Sequence, residues 1–97
     1  MVLGILRIVL HLPESGSLKD RRQVVMGLLQ QVRARYGVAA AEIGDGSRWQ
    51  IAEIGIACVS NDGRHADEVL SKVTAFVEER AGDAVIANVS TEVLRVR

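Results

Sequence analysis

Aromatic side chains are scarce in this chain: Tyr36, Trp49 and Phe76 are the only three among 97 residues. Its core must therefore be aliphatic. A single cysteine, Cys58, excludes an internal disulfide and suits a reducing cytoplasm. Charge of either sign is not in excess, because twelve basic and twelve acidic residues cancel. That balance argues against bulk, nonspecific nucleic-acid binding, which rests on phosphate neutralisation. Long apolar runs are missing as well. The opening segment MVLGILRIVLHL is interrupted by Arg7 and His11, lacks a following small-residue cleavage site and is too short to span a bilayer. It reads as a strand, and the chain as a cytoplasmic protein with no membrane contact. What is present is 48% apolar and 25% charged residues, the balance of one soluble globular domain over residues 1–97.

The order of hydrophobic periods then sets the architecture. Period two runs from Val2 to Leu12, with Val2, Gly4, Leu6, Ile8, Leu10 and Leu12 on one face. A helical period follows from Leu18 to Tyr36, burying Leu18, Val25, Leu28, Leu29, Val32 and Tyr36. Ser17 is its N-cap candidate, Asp20 a capping-box acid, and Gly37 its C-terminal stop. Two strands, Val38–Ile43 and Gln50–Ser60, flank a turn at Gly44-Asp45-Gly46-Ser47. A second helix over Arg64–Ala81, capped by Asn61 or Asp62, buries Ala66, Val69, Leu70, Val73, Phe76 and Val77. The last strand, Ala84 to about Leu94, turns Val85, Ala87, Val89 and Val93 inward. This is β-α-β-β-α-β, the ferredoxin-like order of an α+β sandwich. Right-handed crossovers predict an antiparallel sheet in the order 4-1-3-2 with both helices on one face.

The opening strand with His11-Leu12-Pro13, the run Ser17-Leu18-Lys19-Asp20-Arg21-Arg22, Ala41-Glu42-Ile43, Trp49 and Gly55–Asp62 together resemble the YlxP-like family of small bacterial proteins. The resemblance covers nearly the whole chain. It implies a ferredoxin-like fold and brings no catalytic residues, because the family's biochemical function is not established. It also implies a gene context among translation initiation and ribosome maturation, and hence a role near the ribosome.

Charge is unevenly spread. The first helix, from Ser17 to Gly37, carries Lys19, Arg21, Arg22, Arg33 and Arg35 against one acid, for +4. The second, from Asp62 to Asp83, carries six acids and three bases, for −3. Exposed cations in the first turns of a helix oppose its dipole by roughly 0.3–1 kcal/mol each. A bound anion beside Ser17, Lys19 and Arg22 would reverse that sign. These residues, with Arg21, Arg33 and Arg35, form the candidate RNA- or anion-binding set. The competing reading is that Asp20 and Glu14 offset the charge while the Arg21 and Arg22 stems cover core edges. Met26 and Gly27 point to solvent on the same helix. The mid-helix glycine is either tolerated or makes room for another backbone.

The open sheet face mixes Leu3, Ile5, Val9, Ile51, Val59 and Ile86 with Arg7, His11, Glu53 and Glu92. It is apolar enough for a partner contact, and a homodimer is the economical one. Leu3, Ile5, Val9, Ile51 and Trp49 are its candidate interface residues. Trp49 serves equally well as an interface anchor or as a cap on the core. Arg7 is expected to pair with Glu53 or Glu92. This face lacks the aromatics of an RNA-recognition motif. Chemistry is weakly signalled: His11 and His65 read as surface residues, no ligand spacing suits a metal, and no phosphate loop is present. Cys58 falls on the inward face as an inert core residue.

The expectation is a non-enzymatic, cofactor-free accessory protein, a homodimer whose first helix meets RNA or a ribosome-associated factor. The alternative is a dimeric small-ligand module with an anion pocket near the first strand–helix loop. A hydrolase ranks behind both.

Overall fold

The computed structural model describes residues 1–12, 18–44 and 50–97. The Ser17 cap, the tip of the Gly44–Ser47 turn and Trp49 lie outside the described residues, as does the Leu18 side chain. The elements run β1 (Val2–His11), α1 (Leu18–Tyr36), β2 (Ala39–Ile43), β3 (Ile51–Ser60), α2 (Gly63–Arg80) and β4 (Val85–Arg95). The antiparallel sheet has the order β2-β3-β1-β4, as the periods predict.

Alternation on β1 explains why it is central. Leu6, Ile8 and Leu10 are fully buried beneath the helices, joined by Ala52, Ile54 and Ile56 of β3. From above they meet Val25, Leu28, Leu29 and Val32 of α1 and Leu70, Val73, Phe76 and Val77 of α2. Each fully buried Leu, Ile or Val contributes roughly 1.5–3 kcal/mol of transfer free energy. With so few aromatics, the helices join at one edge-to-face contact between Tyr36 and Phe76, centroids 5.6 Å apart. At its other end α2 comes close through small residues. A Cβ added at Gly4 would lie 3.0 Å from Cys58 Sγ and 3.3 Å from Ala66 Cβ.

The caps follow from local chemistry. The Asp62 carboxylate accepts from the Arg64 N–H at 3.0 Å and caps α2. Gly37 takes φ 62° and donates its N–H to the Arg33 carbonyl, which ends α1 on a left-handed residue.

Strand β4 departs from its predicted phase. Val9 faces Asn88 but Leu10 faces Ile86, so Ala87 is an extra residue, a bulge. The bulge turns Ile86 inward, where it packs against the core, rather than onto the open face. It turns Val85 outward beside His11, 58% exposed, rather than inward. Beyond the bulge Val89 and Val93 lie on the helix side as expected, yet they remain 39% and 42% exposed. The edge strand projects past the cover that the helices give.

Candidate functional site

The five cations singled out on α1 separate into distinct environments. Arg21 is 4% exposed, because its position falls on the buried stripe with Val25, Leu28 and Val32. Its Nε donates to the Ile51 carbonyl at 3.1 Å, and its Nη2 pairs with the Glu42 carboxylate. Glu42 sits opposite Ile54 and so points to the helix side of β2. Arg21 therefore ties α1 to β2 and β3 and does not belong to an outward binding set. Sequence reading missed Glu42. The available signal was alternation, which puts an acid of β2 on the helix-facing side where it needs a cation.

Arg35 is also engaged. Its guanidinium lies 5.2 Å from the Phe76 centroid and 6.0 Å from that of Tyr36, while Arg80 of α2 approaches Phe76 at 5.1 Å. The exposed guanidinium still carries charge, but it stands near the C-terminal junction of the helices. Arg33 donates to the Ala40 carbonyl at 2.7 Å and stays exposed.

Lys19 and Arg22 are exposed near the start of α1. Helical spacing places Lys19, Arg22, Met26, Gln30 and Arg33 along one stripe, all exposed. The stripe is about 21 Å long at 1.5 Å per residue. This ridge runs beside β2, as the Arg33–Ala40 contact shows. Three cations on it face solvent and no acid interrupts it.

A groove of about 490 Å³ opens on the other flank of α1, lined by Leu12, Asp20, Val24, Gly27, Arg80 and Asp83 among others. Its charge is mixed. The loop of residues 13–17, beside which the ligand-module alternative places its anion pocket, lies outside the described residues. A Cβ at Gly27 would meet nothing within 4 Å, so no contact among the described residues requires this glycine.

On the open sheet face Arg7 takes Glu53 as its partner, with Nη2 2.9 Å from Oε1 and Nε 3.3 Å from Oε2. Leu3, Ile5, Val9 and Ile51 are half-buried there, shaded by neighbouring strands, and Val59 is 69% exposed. Gly55 makes room for Ile43, whose Cγ2 would lie 3.3 Å from an added Cβ. Cys58 is half-buried, its sulfur 3.9 Å from the Ala66 carbonyl. Among the described residues no three His, Cys, Asp or Glu side chains gather as metal ligands. No helix among them is long and apolar enough to cross a membrane.

Comparison with known proteins bears on the family and on the fold. Residues 3–91 match the family described as "Protein of unknown function (DUF503)". The uncharacterized protein YlxP of Bacillus subtilis (strain 168) is 35% identical over 65 residues, which span 67% of this chain and 71% of that protein. Among solved structures, a de novo designed protein with ferredoxin fold, LFR1 1, matches with TM-score 0.54 at 12% identity, covering 100% of this chain and 88% of the other. The de novo designed protein Foldit4 matches with TM-score 0.52 at 13% identity, covering 99% and 98%. Likeness to designed proteins at such identity speaks for the fold alone.

Proposed function

The chain belongs to the DUF503 family of proteins of unknown function, and we propose that it is a non-enzymatic accessory protein that binds RNA phosphate, free or on the ribosome, along the outer ridge of α1. The observation that carries this reading is the separation of the α1 cations. Arg21 is consumed inside the fold, while Lys19, Arg22 and Arg33 stand together on an exposed stripe without an acid. The gene context that the family resemblance brings points the same way. Ridge contacts of this kind position a protein on a backbone and carry no base readout. A neutral chain can make them because half of its twelve acids lie between Asp62 and Asp83, on and beside the other helix. The protein acts as a cytoplasmic homodimer in this reading, and the half-buried apolar positions Leu3, Ile5, Val9 and Ile51 of the open face are one place where a copy would dock.

The test is binding of purified ribosomes and of ribosomal RNA across a salt series. The wild type should bind more weakly as salt rises. The double variant Lys19→Ala/Arg22→Ala should bind more weakly than wild type at low salt, equally for all RNA sequences, with an unchanged melting curve. No salt-dependent binding by the wild type sinks the reading.

A further inference from the structure

We propose that the outer edge of β4 pairs antiparallel with β4 of a second copy, making one continuous eight-stranded sheet across a two-fold axis at Thr91. This inference rests on the homodimer reading and moves its contact from the open face to the sheet edge.

The starting point is an edge left without the usual protection. β4 is the last strand of the sheet, eleven residues long, and every residue from Ala87 to Arg95 is exposed. Native edges are normally kept short, covered, bulged, or guarded by lysine, proline or an inward charge, and the one such device on β4, the bulge at Ala87, lies before the regular stretch that starts at Asn88. From Asn88 to Leu94 this strand has no lysine or proline, and its one charge, Glu92, points to the open face opposite Ile5. Its helix-side residues beyond the bulge are Val89, Thr91 and Val93, opposite Ile8, Leu6 and Gly4. All three are β-branched and exposed, the composition of a strand that packs on a neighbour.

The occupant follows from self-complementarity. When a strand pairs with its own copy about an axis normal to the sheet, residues on the same face oppose each other. Centring on Thr91 sets Thr91 against its twin, Val89 against Val93 on both sides, and Ser90 against Glu92. The two exposed valines thus become cross-strand pairs, and no charge meets a like charge. Centring on Glu92 would oppose two carboxylates. Centring on Ser90 would set Val89 against Thr91 and strand Val93. The bulge at Ala87 ends regular pairing on one side of this register, which limits the contact to the regular stretch.

The register can be trapped. Directly opposed residues of an antiparallel pair have Cα atoms roughly 4.5–5.5 Å apart, inside the disulfide range of about 4.4–6.8 Å. In a Cys58→Ala background, Thr91→Cys should form a disulfide-linked dimer in a glutathione redox buffer. Val93→Cys should not, because its twin is displaced by four residues, roughly 13 Å along the strand. Val93→Lys, otherwise folded by circular dichroism, should sediment as a monomer where the wild type is a dimer. A wild type that sediments as a monomer at micromolar concentration overturns both the edge and the homodimer reading. A wild-type dimer that Thr91→Cys fails to trap, or one that Ile5→Asp dissolves and Val93→Lys leaves intact, overturns the edge alone and returns the contact to the open face.

Discussion

The two edges of the sheet are built on opposite plans. β2 has five residues and β4 has eleven. The helix-facing side of β2 carries a charge, Glu42, clamped by Arg21, and Arg33 of α1 occupies its Ala40 carbonyl. β4 presents exposed valines on the helix side and keeps its backbone edge clear of other strands. An inward charge and a short length are ways of stopping a strand from recruiting another. The closed side of the molecule is therefore also the charged side, where the α1 ridge runs. The open side is the apolar one. Contact with a polyanion and contact with a second copy then need not compete, and a dimer through β4 would carry its two basic ridges at its far ends.

The largest effect should come from Arg21→Ala. It takes the partner from the Ile51 carbonyl and from a Glu42 carboxylate that is 26% exposed, and breaking this part-buried pair from one side should cost up to about 3 kcal/mol. The denaturant midpoint should fall accordingly. Replacing both partners, Arg21→Met with Glu42→Leu, should recover stability to within about 1 kcal/mol of wild type, since a buried pair exchanged for apolar groups is often neutral. The same double variant should increase self-association, because it removes the inward charge that guards β2. A soluble, non-associating double variant would break the contrast between the edges.

Val93→Lys should separate assembly from folding. Val93 is 42% exposed, so the stability of the folded monomer should change by no more than about 0.5 kcal/mol, while the dimer and the stability it adds by mass action are lost. The smallest effect on assembly should be that of Arg7→Ala, which leaves the dimer intact. Its pair with Glu53 is 44% and 34% exposed, so the loss should stay below about 1 kcal/mol and shrink further in salt.

The architecture was legible because two helical periods and four alternating runs leave one strand order that obeys the crossover rule. Caps and core positions followed for the same reason: Asp62, Gly37, Leu70 and Val32 each sit where local chemistry puts them. β4 resisted, because an inserted residue in a strand is invisible to a period-two pattern. A bulge at Ala87 reads as unbroken alternation until the register with β1 is known. The α1 cations were legible as a group, and not one by one. Helical spacing places Arg21 on the buried stripe, but only pairing with Glu42, twenty-one residues away, explains why a guanidinium is stable there.

The central functional claim is that Lys19 and Arg22 meet phosphate. Its most direct measurement is the slope of log affinity for ribosomal RNA against log salt, in wild type and in Lys19→Ala/Arg22→Ala. If each cation neutralises one phosphate, the double variant's slope should be shallower by about 1.4–1.8, at 0.7–0.9 per contact. Its melting temperature should match that of wild type. Equal slopes in the two proteins, or no salt-dependent binding in either, would contradict the account and leave α1 as an ordinary solvated face.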